Sequence, residues 1–285
     1  MGLSINSLRF LLGEKERGLS IGNLLTLGRQ EVYVNGDAYG TILNSLGRKR
    51  TVPTYGDDFL FGIGASTLQV MDASDYEGAQ VIHDLNEPPR RELSEAFDTV
   101  IDGGTLEHVF NFPTAIKTCM EMVRPGGHLI LMTPWHNYAG HGFYQFSPEL
   151  FYGILSPANG YVLKRMFIVS GGYWYTVRDP SKTKRRIEVS SSDSIDLFIV
   201  AERTDSKEVF QTWPQQSDYS TVWENQSYDN NEKISSLGFR ESLVKKLKPL
   251  QIMQCKWRIF KSRRVHSPSR NPGMVKICKS SEIPS

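Results

Sequence analysis

FDTVIDGGTLEHVFNFPTAIKTCMEMVRPGGHLILMTP, residues 97–134, is the stretch of sequence that determines the fold. Residues 97–101 form a short apolar run rich in β-branched side chains, which is typical of a strand buried on both faces. Apolar residues then recur at helical spacing over 113–123, and residues 128–132 form a second apolar run. Two strands joined by a crossover helix in this way lie parallel in one sheet.

Two loops follow the carboxyl ends of these predicted strands, at residues 102–108 and 133–141. In open α/β sheets, ligands bind in the crevice beyond the carboxyl ends of the strands. We therefore expect the two loops to border one pocket.

The phrases FDTVIDGGTLEHV and MVRPGGHLILMTP resemble the later half of a class I S-adenosylmethionine-dependent methyltransferase. Upstream, VMDASDYEGA at 70–79 and IHDLNEP at 82–88 resemble the second- and third-strand segments of that family. The resemblance covers roughly residues 24–203. It implies a Rossmann-like α/β fold with a seven-stranded, mostly parallel sheet, helices on both faces and an antiparallel last strand. It also implies S-adenosylmethionine as the cofactor.

The resemblance assigns cofactor-binding residues to the ends of the strands. Asp72, after the second strand, is placed to accept hydrogen bonds from both ribose hydroxyls, as acidic residues do in dinucleotide folds. A turn aspartate that caps the following residues fits the same pattern. Asp84, after the third strand, is implied to contact the adenine amino group. The implied set is Gly28, Arg29, Asp72, Ala73, Asp84, Leu85, Asp102 and Gly103.

The segment after the predicted first strand departs from the family pattern. A glycine-rich loop should follow residues 21–27, because glycines let the backbone approach the cofactor. Here the chain reads Leu27-Gly28-Arg29-Gln30. Two interpretations stay open. Either the guanidinium of Arg29 binds the methionine carboxylate, or the chain has lost the cofactor and is an inactive methyltransferase-like scaffold or binding protein.

Three residues in the two loops are predicted to be catalytic: Glu107, His108 and His141. An imidazole titrates near neutral pH, so His108 or His141 is suited to take a proton from an acceptor hydroxyl or amine. The alternative is that His108 packs at the floor of the pocket and is structural.

The stretch WHNYAGHGFYQFSPEL, residues 135–150, is dense in aromatic and histidine side chains. Loops after the fifth strand usually face the acceptor in this family, which implies substrate contacts from His136, Tyr138 and Tyr144. Aromatic rings interleaved with polar groups suit a sugar or another polyol. Alternatively, the rings at 143, 144 and 146 fill the core beneath a lid. We expect no metal site, because carboxylates at suitable spacing from His136 and His141 are missing.

Charge divides the chain into an acidic body and a basic end. Residues 240–285 carry twelve Lys or Arg and two acidic residues, against a net charge of +2 for the whole chain. We predict a methyltransferase-like domain at 1–203, a polar linker at 204–239 and a basic tail at 240–285 that is poorly ordered from 267. The tail suits an anionic partner, such as a nucleotide-sugar, or a membrane surface. No motif for specific nucleic-acid binding accompanies it.

Three scattered cysteines favour a reducing compartment, and neither a bilayer-spanning apolar run nor a signal peptide is apparent. The sequence therefore predicts a cytoplasmic protein whose oligomeric state stays open. The predicted activity is methylation of an oxygen or nitrogen of a small polar acceptor, such as a sugar intermediate in polysaccharide biosynthesis. A nicotinamide-dependent oxidoreductase is disfavoured because no GxGxxG opens the first helix.

Overall fold

The computed structural model describes residues 2–50, 54–183, 186–217 and 267–284. Most of the predicted linker and the predicted tail up to residue 266 therefore lie outside the described residues. The strands are β1 (Gly2–Leu3), β2 (Gly22–Leu27), β3 (Glu31–Val32), β4 (Ala65–Asp72), β5 (Val81–Ile82), β6 (Phe97–Asp102), β7 (Val123–His136), β8 (Tyr161–Ser170), β9 (Tyr173–Val177), β10 (Ile195–Arg203) and β11 (Met274–Lys279). The α-helices are α1 (Ile5–Glu16), α2 (Gly36–Ser45), α3 (Asp57–Gly62), α4 (Phe112–Met122), α5 (Pro148–Ile154) and α6 (Pro180–Thr183).

The main sheet has the strand order β11-β9-β8-β10-β7-β6-β2-β4-β5. Five neighbouring strands, β7, β6, β2, β4 and β5, are parallel to one another. In contrast, β10 runs antiparallel to both of its neighbours, β7 and β8. This arrangement confirms the predicted α/β class, the mostly parallel sheet and the antiparallel late strand. A separate small sheet pairs β1 with β3.

The predicted number of seven strands is wrong, because the described residues alone contribute nine strands to the main sheet. The long connection between β8 and β10 contains β9, and β11 pairs with the outer edge of β9. Poor order from residue 267 is accordingly not observed over 267–284. An added strand satisfies backbone groups that β9 would otherwise leave open at the sheet edge.

Successive residues of the central strands supply two hydrophobic cores, one on each face of the sheet. Leu25, Val100 and Leu131 belong to the core that contains buried residues of α4 and α5. Leu24 and Ile130 belong to the core that contains buried residues of α1, α2 and α3. Helices therefore cover both faces, as predicted. Among the described residues, none of the helices combines the length and apolar character that crossing a lipid bilayer requires.

Two glycines near the start of β7 determine how closely this strand approaches β6. Gly126 has a φ of +80°, which L side chains rarely adopt. A Cβ atom on Gly127 would lie 2.5 Å from the backbone oxygen of Asp98 on the adjacent strand, so a side chain does not fit there. The Pro-Gly-Gly sequence thus lets the chain pass close to β6 and continue as its parallel neighbour.

A buried arginine ties the end of α4 to the last residue of β10. Arg203 is 3% exposed, and its Nη1 donates to the backbone oxygens of Glu121 at 2.9 Å and Val123 at 2.6 Å. Its Nη2 lies 3.1 Å from Glu95 Oε1. The guanidinium therefore satisfies carbonyl groups that the end of a helix leaves without partners.

Arg203→Met is expected to lower the free energy of unfolding by about 2–3 kcal/mol, because buried carbonyls lose a charged donor. Urea unfolding followed by far-UV circular dichroism measures this change. Arg178→Met is the matched control, since Arg178 is exposed and should stay within about 0.5 kcal/mol of the wild type. Equal effects of the two substitutions would contradict the structural role given to Arg203.

Candidate functional site

Two adjoining cavities lie at the carboxyl ends of the parallel strands. The first, of about 430 Å³, is lined by Gly28, Met71, Asp72, Ala73, His83, Asp84, Leu85, Asn86, Thr105, His108 and Val109. The second, of about 380 Å³, is lined by Gly2, Ser4, Ser7, Tyr33, Gly103, Gly104, Glu107, His108, Met132, Pro134, Tyr138, His141, Asp196 and Phe198. Because His108 lines both, the cavities meet at this side chain.

The first cavity contains five of the eight residues assigned to the cofactor: Gly28, Asp72, Ala73, Asp84 and Leu85. Asp72 ends β4, and its Oδ1 accepts a bond of 3.4 Å from the backbone nitrogen of Ser74. Asp84 Oδ1 accepts two bonds of 2.9 Å from the backbone and side-chain nitrogens of Asn86, and these bonds hold the pKa of Asp84 below its usual value. Two carboxylates therefore face a cavity whose other walls are largely apolar.

His83 is a site residue that the sequence reasoning missed. It lines the first cavity and is 7% exposed, and its Nε2 has no hydrogen-bond partner among the described residues. Burial and the nearby Arg90 hold the pKa of His83 below its usual value. The imidazole thus carries a buried ring nitrogen that has no protein partner among the described residues. Its place directly after β5, beside Asp84, was the available signal.

The loop after β2 is closed by the side chain of Gln30. Gln30 is 1% exposed, and its Nε2 donates to the backbone oxygens of Leu27 at 2.9 Å and Gly28 at 3.1 Å. A Cβ atom on Gly103 would lie 2.0 Å from Gln30 Oε1, so the two residues are in close contact. A glutamine side chain therefore occupies the space between β2 and Gly103.

Arg29, which we expected to bind the cofactor, contacts protein groups instead. Its Nη2 lies 2.7 Å from Asp57 Oδ2, and its guanidinium carbon lies 4.2 Å from the ring centroid of Tyr55. Its Nη1 donates to the backbone oxygen of Glu77 at 3.3 Å. The guanidinium predicted to bind a methionine carboxylate is instead paired with a protein carboxylate and stacked on a tyrosine.

The second cavity brings together the three predicted catalytic residues. Glu107 and His108 lie in the short 3₁₀ turn at 106–108, and Glu107 Oε1 is 3.5 Å from His141 Nε2. The rings of His108 and His141 are 5.0 Å apart, centroid to centroid. The backbone oxygen of Glu107 accepts bonds of 2.7 Å and 3.2 Å from the nitrogens of Phe143 and Tyr144, which fixes the loop that carries His141.

Two buried carboxyl groups, those of Glu107 in the wall of this cavity and of Asp102, interact electrostatically. Asp102 is fully buried; its Oδ1 accepts a bond of 2.7 Å from the backbone nitrogen of Thr105. Burial raises the pKa of Asp102, and burial together with the Asp102 carboxylate raises the pKa of Glu107. Burial and His141 lower the pKa of His108. Asp102 lines neither cavity, whereas Gly103 lines the second.

Of the three residues assigned to the acceptor, Tyr138 lines the second cavity, where burial and the nearby Asp196 carboxylate raise its pKa. Tyr144 instead donates from its hydroxyl to the backbone oxygen of Phe110 at 2.7 Å, and its ring stacks on Phe146. Its packing fits the alternative in which these rings fill the core. His136 Nε2 lies 3.2 Å from the backbone oxygen of Ser191, away from this cavity.

Several residues of the second cavity lie far from the loops that the sequence singled out. Asp196 is the one acidic residue in the apolar run SIDLFIVA, which was a usable signal. Residues of the amino-terminal segment gave no such signal. They reach the cavity because β1 pairs with β3 and because Gly2 N donates to Gly103 O at 3.1 Å.

Searches with the sequence match no protein-family model and no curated protein. Solved structures do show similarity. The 1,6-didemethyltoxoflavin-N1-methyltransferase of Burkholderia thailandensis, with bound 1,6-didemethyltoxoflavin and S-adenosylhomocysteine, is 13% identical, over 70% of this chain and 79% of that chain, with a TM-score of 0.42. The N-methyltransferase NodS of Bradyrhizobium japonicum, in complex with S-adenosylhomocysteine, is 15% identical, over 70% of this chain and 86% of that chain, with a TM-score of 0.40. Similarity at this level assigns no activity to the chain.

Proposed function

We propose that this chain is an S-adenosylmethionine-dependent methyltransferase that acts on an oxygen or nitrogen of a small polar acceptor. The observation that carries the proposal is the pair of cavities that meet at His108, one suited to a nucleoside and the other lined by several ionisable side chains. Both lie beyond the carboxyl ends of parallel strands, where open α/β sheets bind their ligands.

The first cavity fits the adenosine part of the cofactor. The Asp72 carboxylate is a suitable acceptor for two ribose hydroxyls, and Met71, Ala73 and Leu85 offer apolar surface to a purine ring. The unpartnered Nε2 of His83 supplies a ring nitrogen for a polar edge of the base. The first cavity therefore combines the Asp72 carboxylate with the buried Nε2 of His83, which lacks a hydrogen-bond partner among the described residues.

When bound, S-adenosylmethionine supplies an electrophilic methyl group on a sulfonium. The chain's own contribution is to hold an acceptor in the second cavity, on the other side of His108, and to exclude water. Tyr138, Asp196 and the Glu107–His141 pair offer hydrogen bonds to such an acceptor. They suit a hydroxyl-bearing molecule such as a sugar or nucleotide-sugar. An anionic partner for residues 240–285 remains a prediction from sequence.

Calorimetric titration of the full chain with S-adenosylmethionine and S-adenosylhomocysteine tests the proposal. We expect saturable 1:1 binding of both, and competition between them for one site. If neither compound gives a heat of binding or a thermal shift, the methyltransferase proposal fails.

The second function to consider is a scaffold that binds an adenosine-containing ligand without methyl transfer. The position of Gln30 favours it, because its side chain fills space beside β2 that a glycine-rich loop would leave open. This alternative predicts that adenosine binds as tightly as S-adenosylhomocysteine, whereas the methyltransferase predicts tighter binding of the compound that carries the homocysteine group.

His141→Ala is expected to leave the affinity for S-adenosylhomocysteine within about twofold of the wild type, because His141 lines the second cavity and half of its side chain is exposed. The same calorimetric titration measures this affinity. A tenfold or larger loss would move His141 into the cofactor site and contradict the division between the two cavities.

A further inference from the structure

We propose that Glu107, His108 and His141 bind a divalent transition-metal ion in the second cavity. Each side chain offers one ligand atom, and these atoms all lie within 4.8 Å of one another. All three side chains line the same cavity. One carboxylate and two imidazoles, with one side open to a cavity, form the ligand set of many catalytic metal sites.

The separation of Glu107 and His141 fits an ion between the two side chains better than a direct hydrogen bond. Glu107 Oε1 and His141 Nε2 are 3.5 Å apart, which is longer than a charge-assisted hydrogen bond. Ligands that each lie about 2.0–2.2 Å from a tetrahedral ion are separated by roughly 3.4 Å. The two atoms are therefore already near the separation that a shared ion imposes.

The second observation is an unpartnered buried oxygen. The Glu107 side chain is 1% exposed, and its Oε2 has no hydrogen-bond partner among the described residues. A buried carboxylate oxygen without a partner is costly and calls for an explanation. A metal ion bound by Glu107 would neutralise this charge beside the equally buried Asp102.

The surroundings restrain the ligands as an outer shell does in metal sites. The loop that carries His141 is held by the two backbone bonds to Glu107 O, and the Tyr138 ring lies 5.5 Å from the His141 ring, centroid to centroid. Tyr138 and Asp196 both line the cavity beside these ligands. Imidazole and carboxylate ligands suit zinc, iron(II), manganese or cobalt(II), whereas calcium and magnesium prefer oxygen ligands alone.

The ion would activate the acceptor, and this step rests on the proposed function. An acceptor hydroxyl bound to the ion loses its proton to solvent more readily. Its oxygen then takes the methyl group while the methyl–sulfur bond breaks and both electrons stay on sulfur. This role assigns the two histidines to the ion, in place of the proton transfer that the sequence predicts.

The test is titration of the full chain, stripped of metal with a chelator, with zinc chloride by calorimetry and with cobalt(II) by visible absorption. We expect one equivalent of each ion to bind the wild type, with cobalt bands typical of nitrogen and oxygen ligands. His141→Ala and Glu107→Gln should weaken binding by at least roughly 10- to 100-fold, which is the cost of losing even an outer-shell partner.

His136→Ala is the matched control, since it removes a histidine from the same loop that lies outside the cluster. It should bind zinc like the wild type. Far-UV circular dichroism checks that the Glu107→Gln protein is folded. If that variant is unfolded, the His141→Ala protein provides the test of the site. Weak binding that no substitution changes, or an equal loss in His136→Ala, would mean adventitious binding and overturn the proposal. The titrations contain no S-adenosylmethionine, so metal binding fails or succeeds independently of cofactor binding.

Discussion

Replacing Asp72 by alanine is expected to weaken binding of S-adenosylhomocysteine by roughly 10- to 100-fold. The Asp72 carboxylate ends β4 and faces the first cavity, where a ribose would donate two hydroxyl hydrogens to it. Hydrogen bonds to a charged group contribute about 1.5–3 kcal/mol, and each 1.4 kcal/mol is about a tenfold change in affinity. Calorimetry or a thermal-shift titration measures the difference.

Asp75→Ala is the control for this substitution. Asp75 is an exposed aspartate in the same turn and does not line the cavity, so its removal changes the charge equally. Its affinity should stay within about twofold of the wild type. Similar losses in both variants would point to a general charge effect. An unchanged affinity in Asp72→Ala would support the alternative that Asp72 merely caps the turn through its bond to Ser74.

Asp72 and Asp84 could be assigned to one edge of the sheet from sequence, because Asp72 ends β4 and Asp84 lies two residues after β5, and strand ends of a parallel sheet share one edge. Arg29 could not, because its role depends on a tertiary partner. Asp57 comes 28 residues later in the chain, and Tyr55 reaches the guanidinium only once β3 and α3 are in place. The sequence of the loop therefore indicated that Arg29 would bind a carboxylate, but not which carboxylate its side chain would reach.

The strand count fails for a related reason. The Tyr173–Val177 segment has no neighbour nearby in sequence other than β8, and its outer partner lies about a hundred residues later. Local patterns indicate that a segment can form a strand, whereas pairing at a sheet edge depends on long-range contacts. The metal site proposed above was not expected from the sequence either, since Glu107 and His141 lie 34 residues apart and their ligand atoms come within 3.5 Å only through the loop after β7.

Trp174→Ala is expected to lower the free energy of unfolding by about 3–5 kcal/mol, the range for truncating a buried aromatic residue. Trp174 is fully buried, and its ring lies 5.1 Å from that of Phe198, centroid to centroid. Its Nε1 donates to the backbone oxygen of Glu282 at 3.1 Å, beyond the end of β11. The substitution therefore opens a cavity in the core and also removes a bond to the carboxyl-terminal segment.

Urea unfolding followed by far-UV circular dichroism tests this prediction without depending on tryptophan fluorescence. Trp213→Ala is the matched control, because Trp213 is 69% exposed and its removal should cost less than about 0.5 kcal/mol. A Trp174→Ala protein as stable as the Trp213→Ala protein would contradict the packing of the added edge strands.

Phe198 lines the second cavity and packs on Trp174, so removing the Trp174 ring should also weaken zinc binding more than S-adenosylhomocysteine binding. That difference would show that the added strands support the acceptor side of the site.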